Sequence, residues 1–214
     1  MKKKIFIEGN IGSGKTTLCN ILDKTKEEYN IVFEPVEKWR KIINSNGKNL
    51  LQLFYEDQKR WSYTFQSIAF ITRIKELTEA LKTEKVCVME RSVYTDMKVF
   101  AINCYESGMI DDVEWELYKE WFNWLVDSFG AKPEGIIYVR TDTQNCLERI
   151  KKRDRQEEAQ VPIEYLEKIH KKHEDWLLNT DIPIYIIDGN LDFEKDKNIQ
   201  DEIVNNVINF IKKV

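Results

Sequence analysis

Near its N-terminus the chain reads Gly9-Asn10-Ile11-Gly12-Ser13-Gly14-Lys15-Thr16, which fits the pattern G-x-x-x-x-G-K-[ST]. At average residue usage this pattern arises by chance in about one chain in a hundred of this length. Here it directly follows an apolar run at 5–8 and precedes an amphipathic stretch. The order of strand, glycine-rich loop and helix predicts the opening unit of an α/β fold.

The glycine-rich loop predicts a phosphate site. Its glycines let the backbone fold around an oxyanion with successive N–H groups pointing inward, and the helix that follows adds its N-terminal dipole. We expect Lys15 to reach the β- and γ-phosphates of a nucleoside triphosphate such as ATP, and the Thr16 hydroxyl to hold Mg²⁺. The candidate triphosphate-binding loop spans 9–17 and so includes Thr17.

Beyond this loop, short apolar runs alternate with long amphipathic stretches. The runs at 5–8, 31–34, 86–89, 135–139 and 184–187 predict strands, and their continuous hydrophobicity suits strands that are buried on both faces. Helical patterns cover 14–26, 36–44, 48–82, 92–107, 112–129, 143–153, 162–179 and 196–213. We therefore expect one domain over 1–214: a P-loop-type, three-layer α/β fold with a central five-stranded parallel sheet flanked by helices, and a short arginine-rich lid at about 149–161. Trp121, Phe122 and Trp124 are expected in the core.

Composition narrows the class of protein further. The 214 residues carry 33 basic and 37 acidic side chains, a net charge of −4, so the basic excess of a nucleic-acid-coating protein is absent. No apolar run approaches eighteen residues, which argues against a membrane span, and no secretory or transit signal is evident. Four cysteines at long spacings predict buried thiols rather than a zinc or disulfide framework. We expect a cytoplasmic protein, with the nucleus as an alternative.

Carboxylates follow two of the predicted strands. Glu34 comes at the end of the second strand, and Glu90 followed by Arg91 comes at the end of the third. Because the carboxyl ends of parallel strands form the ligand edge of an open α/β sheet, these groups should face the phosphate loop. Glu34 there suits a general base for a hydroxyl that attacks the γ-phosphate, and Glu90 suits a metal ligand.

The long helical pattern offers a surface for a flat ring. Phe65, Ala69 and Arg73 lie at i, i+4 and i+8, and Gln66 shares their face. Asp96 and Phe100 lie four positions apart on the next helix. Phe65 and Phe100 could stack a base from two sides, Gln66 could read its amide edge, and an Arg73–Asp96 pair could sense its exocyclic groups.

With these motifs the chain resembles the eukaryotic-type deoxyribonucleoside kinases, most closely their deoxycytidine and deoxyguanosine kinase branches. The resemblance runs from 4 to about 209. It is carried by GNIGSGKTT at 9–17, EPVEKW at 34–39, RWSYTFQSIA at 60–69, ERSVYTD at 90–96 and RDRQEEAQVPIEYLEKIHKKHEDWL at 153–177. Two pocket positions, Phe54 and Met97, depart from the family pattern.

The resemblance implies roles on the acceptor side. Glu34 would accept the proton of the deoxyribose 5′-hydroxyl, with Arg91 paired to it and steadying the phosphates. Gln66 would make the paired hydrogen bonds to the base, between Phe65 and Phe100. Further pocket residues implied by the resemblance are Val36, Trp39, Leu51, Ala69, Arg73 and Asp96.

Other matched positions would serve the sugar, the transferred phosphoryl group and the donor. Tyr55 and Glu158 would bind the sugar 3′-hydroxyl. A lid carrying Arg149, Arg153 and Arg155 would close over the phosphoryl group. Asp192-Phe193 resembles the loop that holds the donor's base. The family's dimers, together with the large apolar side chains of Trp115, Trp121 and Trp124, imply a homodimer.

The expected function is therefore ATP-dependent phosphorylation of a deoxynucleoside in nucleotide salvage. An Arg73–Asp96 pair favours deoxycytidine, deoxyadenosine or deoxyguanosine, because thymine brings bulk and no donor toward the carboxylate. One alternative is a nucleoside monophosphate kinase of the thymidylate type, although an acidic acceptor site repels a phosphate. Another is a non-catalytic nucleotide-binding module, although Lys15, Glu34 and Arg91 are all present.

Overall fold

The computed structural model describes residues 3–25, 29–158 and 161–214. Within them, five parallel strands form one sheet in the order β2-β3-β1-β4-β5. The strands are β1 Lys4–Glu8, β2 Tyr29–Val32, β3 Val86–Glu90, β4 Gly135–Arg140 and β5 Ile184–Asp188. This confirms the predicted fold class. Residue 26 of the first predicted helix and residues 159–160 of the predicted lid lie outside the described residues.

Helices cover both faces of the sheet. They are α1 Lys15–Asp23, α2 Val36–Arg40, α3 Leu50–Glu56, α4 Gln58–Ala80, α5 Val93–Thr95, α6 Ile102–Glu106, α7 Asp112–Phe129, α8 Thr143–Arg153, α9 Ile163–Leu177 and α10 Lys197–Lys213. A π-helical turn, Asp96–Ala101, joins α5 to α6, and a 3-10 helix, Gln156–Glu158, follows α8.

Alternate residues of β1 face different layers, as the two-residue period of a strand requires. Phe6 packs with α4 and α7, whereas Ile5 and Ile7 pack with α1 and α10. The three inner strands are almost wholly buried, and the edge strands β2 and β5 are only half-buried. The prediction of strands buried on both faces is therefore right for the inner three.

The second strand begins and ends two residues earlier than the predicted 31–34. Its pairing with β3 ends at Val32 opposite Met89, and the chain then turns, with the Val36 N–H bonded to the Glu34 carbonyl at 2.9 Å. Pro35 has no N–H to continue a ladder. Glu34 consequently lies in the loop after β2. The alternating side-chain directions of a strand therefore do not fix the direction of its side chain.

The long helix predicted over 48–82 is two helices. Asp57, at φ −144° and ψ 81°, ends α3 and caps α4 by accepting a hydrogen bond from the Arg60 N–H at 3.1 Å. Asn49 caps α3 in the same manner, from the Gln52 N–H at 2.9 Å. The helix predicted over 36–44 also ends early, at Arg40. Because of these breaks, α2, α3 and α4 are separate helices that surround one cavity.

The expectation that the α7 aromatics lie in the core is wrong for two of three. Trp121 and Trp124 are 50% and 58% exposed, and Phe122 alone of the three packs against the core. The apolar surface of α7 is wide: one part of it packs on the core, and another part faces outward. All four cysteines, in contrast, are free and buried as predicted. No described helix combines the length and apolarity needed to cross a membrane.

Candidate active site

A cavity of about 1020 Å³ lies over the carboxyl ends of β1, β2 and β3. The predicted site residues that line it are Ile11, Gly12, Gly14, Lys15, Thr16, Thr17, Glu34, Val36, Trp39, Leu51, Tyr55, Phe65, Gln66, Ala69, Arg73, Glu90, Arg91, Asp96, Phe100, Arg149, Arg153, Arg155, Glu158, Asp192 and Phe193. Three predicted residues of the loop, Gly9, Asn10 and Ser13, are buried beneath its surface. The structure thus brings the sequence-predicted residues to one place.

The loop between β1 and α1 needs glycine where it passes other backbone. Gly9 has φ +148° and Gly12 has φ +76°, and a Cβ on either would lie 2.5 Å from a carbonyl oxygen. The Asn10 amide holds the loop from below by donating to the Leu166 carbonyl of α9 at 2.8 Å. Lys15 is buried within the loop, and its Nζ donates to the Asn10 carbonyl at 2.6 Å. Its side chain is therefore held inside the phosphate loop.

The residues proposed for Mg²⁺ touch each other. The Thr16 hydroxyl, at the start of α1, donates to Glu90 Oε1 at 2.7 Å, and Glu90 ends β3 in a buried position. Hydroxyl and carboxylate oxygens are the hard ligands that Mg²⁺ prefers, and a carboxylate or two completed by substrate phosphates is its usual protein site. The donor set fits the ion.

Glu34 lies at the centre of the charged groups. Its Oε1 is 3.1 Å from Arg73 Nη2 and 3.1 Å from Arg91 Nε. Burial alone would raise the pKa of Glu34, but the charges of Arg91, Arg73 and Lys15 outweigh it and lower the pKa to about 2. The carboxylate is therefore ionised at every physiological pH.

Arg91 has a strained backbone. Its φ of +64° is unusual for a residue with a side chain. The guanidinium donates from Nη1 to the Gly9 carbonyl at 2.8 Å and lies over the Phe100 ring at 4.9 Å. These contacts fix a buried cation between the phosphate loop and Glu34. Strain of this kind is held in place by its surroundings and is concentrated at functional sites.

The predicted Arg73–Asp96 pair is present and fully buried. Arg73 Nε donates to Asp96 Oδ2 at 2.8 Å and Nη2 to Oδ1 at 3.1 Å, a bidentate arrangement. Arg73 also donates to the Glu90 carbonyl at 3.1 Å. One guanidinium thus joins α4, the π-helical turn, β3 and Glu34. The contact with Glu34 was outside the sequence-based expectation.

Aromatic rings form one wall of the cavity. Phe54 stacks on Phe65 with 4.6 Å between ring centroids, and Trp39 meets Phe65 edge-on at 5.3 Å. Gln66, one residue further along α4, is buried beside them. The sequence predicted Phe65 and Trp39 as pocket residues. The stacking of Phe54 depends on the break between α3 and α4.

The predicted lid arginines divide into two groups. Arg149 of α8 donates to the Ser13 carbonyl of the phosphate loop at 3.1 Å. Arg153 and Arg155 instead contact the carboxylate of Glu158, the second at 3.3 Å. Tyr55 of α3 is half-buried nearby, and desolvation together with the charges of Glu158 and Glu34 raises its pKa. Glu158 thus gathers the lid cations beside the residues predicted to bind the sugar.

On the opposite side, the chain after β5 packs onto the phosphate loop. The Phe193 ring is so close to Gly14 that an added Cβ would lie 3.0 Å from it. Asp192 accepts backbone hydrogen bonds from Lys195 and Asp196 at 3.3 and 2.9 Å, which shape the loop. The predicted donor-base segment therefore closes the end of the cavity beside the phosphate loop.

Sequence reasoning missed several lining residues. Tyr165 of α9 and Lys152 of α8 reach the cavity, as does Asn190 after β5. Tyr165 lies inside the matched stretch 153–177, and Lys152 lies in the basic run before it. Nothing in the local pattern separates Lys152, which lines the cavity, from Lys151, which does not. Only the helix phase of α8 distinguishes them.

Taken together, the fold and the site define a P-loop phosphotransferase whose phosphate loop faces an acceptor pocket. The deoxynucleoside kinase family model matches residues 5–212. Deoxycytidine kinase 2 of Gallus gallus is 39% identical over 98% of this chain and 90% of its own length. The probable deoxycytidine kinase of fowlpox virus is 43% identical over 99% and 89%. The mitochondrial deoxyguanosine kinase of Xenopus laevis is 35% identical over 98% and 89%.

The chain belongs to the deoxynucleoside kinase family, and it is an ATP-dependent enzyme that phosphorylates deoxynucleosides. The alternatives of a nucleoside monophosphate kinase and of a non-catalytic module are not favoured by these relatives.

Proposed function

We propose that this enzyme transfers the γ-phosphoryl group of ATP to the 5′-hydroxyl of deoxycytidine, deoxyadenosine or deoxyguanosine in preference to thymidine. The observation that carries the preference is the buried bidentate pair of Arg73 and Asp96 on the acceptor side. An exocyclic amino group can donate to Asp96. The methyl and carbonyl groups of thymine offer no donor, and accommodating them would disturb a desolvated ion pair.

In this proposal Glu34 orients the attacking hydroxyl and receives its proton. Arg73 and Arg91 both contact Oε1, and the carboxylate lines the cavity where the hydroxyl would bind. A carboxylate with a pKa near 2 is a weak base, so its main contribution is to align the hydroxyl oxygen with the γ-phosphorus until transfer makes the proton acidic.

The phosphoryl group would be surrounded by fixed cations. The cations that line the cavity are Lys15, Arg91 and the lid residues Arg149, Arg153 and Arg155. Charge spread over the equatorial oxygens of the transferred group is stabilised by such groups without reorganisation. Thr16 and Glu90 would hold Mg²⁺, which when bound neutralises phosphate charge.

A substrate panel tests the proposal. Deoxycytidine, deoxyadenosine, deoxyguanosine, thymidine and deoxycytidine monophosphate would be compared at equal concentration with ATP and Mg²⁺. We expect at least one of the first three to be phosphorylated well, thymidine poorly and the monophosphate not at all. A preference for thymidine would contradict the proposed base selection, and a preference for the monophosphate would contradict the proposed reaction.

The quaternary state and the compartment are part of the same proposal. Val113, Leu117, Trp121 and Trp124 recur at helical spacing along α7 and are all exposed. A contiguous apolar stripe of this size is typical of an interface, so we propose a homodimer of single kinase domains through α7. Four free thiols suit a reducing compartment such as the cytoplasm.

A further inference from the structure

A second acidic residue of the lid points away from the cavity. Glu157, next to Glu158 in the 3-10 helix, does not line the cavity. Arg40, at the end of α2, donates two hydrogen bonds to the Glu157 carboxylate, from Nε to Oε1 at 3.0 Å and from Nη2 to Oε2 at 2.9 Å. The Asn49 amide adds a third, to Oε1 at 3.1 Å.

These contacts differ from an ordinary surface ion pair. The Glu157 side chain is 7% exposed and Arg40 is 29% exposed, whereas Lys48 and Glu56, another pair nearby, are both about half exposed. Burial alone would raise the pKa of Glu157, but the hydrogen bonds from Arg40 and Asn49 outweigh it and lower the pKa. Fork-shaped pairing of this kind is geometrically specific, unlike a lone ammonium contact.

The contacts of Glu157 connect the lid to two elements that carry acceptor-side residues. Arg40 ends the short helix that directly follows Glu34 and Pro35. Asn49 caps α3, which carries Tyr55. On the lid, Glu157 faces these two elements while its neighbour Glu158 faces the cavity and receives Arg153 and Arg155.

We propose that Arg40 and Asn49, acting through Glu157, are positioning residues that hold the lid against the acceptor wall so that Glu158 is presented to the deoxynucleoside. This inference rests on the proposed function for its kinetic consequence. None of the three residues touches the reacting groups, so their effect is on binding. With the sugar bound, Glu158 gains a partner of its own, and saturating deoxynucleoside restores the lid position.

The kinetic test is a double-mutant cycle with deoxycytidine. Arg40→Ala and Glu157→Gln should each raise the KM for deoxycytidine by roughly 5- to 10-fold, because hydrogen bonds to charged groups are lost at a partly exposed site. We expect kcat and the KM for ATP to change less than twofold. The double variant should be no worse than either single one, because both remove the same contact.

Glu37→Gln is the matched control. Glu37 is the other carboxylate on Arg40, at 2.9 Å, and its side chain is 75% exposed. Losing it leaves the contact with Glu157 intact, so the KM should stay at its original value. Multiplicative effects in the double variant would overturn the proposal, as would a fall in melting temperature with no change in the KM for deoxycytidine.

Hydrogen exchange separates this inference from the proposed function. The Glu158 N–H bonds to the Arg155 carbonyl at 2.9 Å, and the Val161 N–H bonds to the Glu158 carbonyl at 3.1 Å. Arg40→Ala should accelerate exchange at these two amides, and Glu37→Gln should not. Unchanged exchange would overturn the inference even in an active enzyme. Failure of the unmodified enzyme on every deoxynucleoside would refute the proposed function alone, because exchange still decides the lid contact.

Discussion

Glu34 has to be ionised, exposed to a hydroxyl and held still, and two guanidinium groups on a single oxygen meet these requirements together. Arg73 and Arg91 both contact Oε1 and hold the carboxylate in place at the wall of the cavity. The same contacts reduce the basicity of Glu34. The geometry favours alignment of the hydroxyl over early removal of its proton.

Replacing Glu34 with glutamine should separate turnover from binding. The amide keeps the shape but cannot accept the proton, and loss of a general base typically costs about 10²–10⁴ in rate. We expect kcat to fall on that scale while the Kd for deoxycytidine, measured by calorimetry, changes little. Glu37→Gln, an exposed carboxylate on α2, is the control. A kcat within tenfold of the original would show that Glu34 is not the proton acceptor.

The Arg73–Asp96 pair predicts a change of base preference. Removing Arg73 alone leaves Asp96 buried without its guanidinium, at about 3–5 kcal/mol. Removing Asp96 alone leaves Arg73 with Glu34 as its remaining carboxylate partner. Arg73→Met together with Asp96→Ala removes both charges and opens space for the thymine methyl group. The ratio of thymidine to deoxycytidine turnover should rise, because the carboxylate that accepts from an exocyclic amino group is gone. The lost contact between Arg73 and Glu34 affects both substrates alike.

Steady-state kinetics on both nucleosides and the melting temperatures of the two single variants test this prediction. If the double variant is folded and its ratio of thymidine to deoxycytidine activity is unchanged, the pair does not select the base.

Among the elements, the lid is the one whose side-chain orientations are least predictable from the local sequence. The run at the end of α8 and just after it has five consecutive charged residues, 151–155, yet its members face different partners. Arg153 turns inward to Glu158, and Lys151 is exposed to solvent. A solvated helix end and a catalytic lid have the same composition, and the orientation of each side chain distinguishes them.

Arg153→Ala should reduce turnover without unfolding the protein. Arginine contacts to a transferring phosphoryl group are worth roughly 10³–10⁵ in rate when fully engaged, and three residues sharing this task should each contribute less. We expect a drop in kcat with a melting temperature within a few degrees of the original. Lys151→Ala, two residues earlier on the same helix, should leave kcat unchanged. A collapsed melting temperature with normal kcat would assign Arg153 a structural role.

Helix α9 introduces an acid-sensitive group into the interior. His173 is fully buried, with Nδ1 2.8 Å from the Ile169 carbonyl and its ring stacked on Tyr138. Burial, and secondarily the charge of Arg91, holds the pKa of His173 well below its usual range. The folded protein therefore resists protonation at this site, whereas the unfolded chain takes up the proton below about pH 6.5.

The resulting prediction concerns stability against pH. Each pH unit below about 6.5 should cost about 1.4 kcal/mol through His173, or about 2 kcal/mol by pH 5. His173→Phe keeps a ring against Tyr138 and removes the titration, so its unfolding free energy should decline less between pH 7 and pH 5. Urea unfolding at several pH values measures this. His170→Phe, at a partly exposed histidine of the same helix, is the control, and equal slopes in all three proteins would refute the prediction.

At the scale of the whole molecule, α7 carries the surface that a monomer would leave to water. Its capping box at Asp111 and Glu114 and its left-handed Gly130 define a helix with firm ends. Trp115 and Tyr118 point to the core, and Trp121 and Trp124 point away from it. One helix thus contributes to two apolar surfaces.

Trp121→Glu combined with Trp124→Glu should dissociate the proposed dimer. Two charges facing each other across a symmetric interface are unfavourable and cannot be relieved by a small shift. Light scattering coupled to gel filtration at micromolar concentration should give twice the chain mass for the original protein and a single chain mass for the variant. Leu178→Glu, at an exposed apolar position just after α9, should remain dimeric. An original protein that elutes as a monomer would refute the interface.

The sequence alone determined the opening strand, the phosphate loop and α1, because these depend on neighbours within a few residues. It also determined that carboxylates follow the second and third strands, and the parallel order of a βα protein then brings them to one edge. The pairing of Arg73 with Asp96 could be predicted in a similar way, because helical periodicity puts each residue on the face turned to that edge.

Only the tertiary structure decided the details that depend on distant partners. The end of β2 is decided by where β3 stops pairing with it, and the break at Asp57 by the packing of α3 and α4 around the cavity. Trp121 and Trp124 have the apolarity of core residues, and only the placement of α7 leaves them outside. Glu157 meets Arg40 across 117 residues and Asn49 across 108. Hydrophobic periodicity reports which face of an element is apolar, whereas the identity of its partner follows from how the whole chain packs.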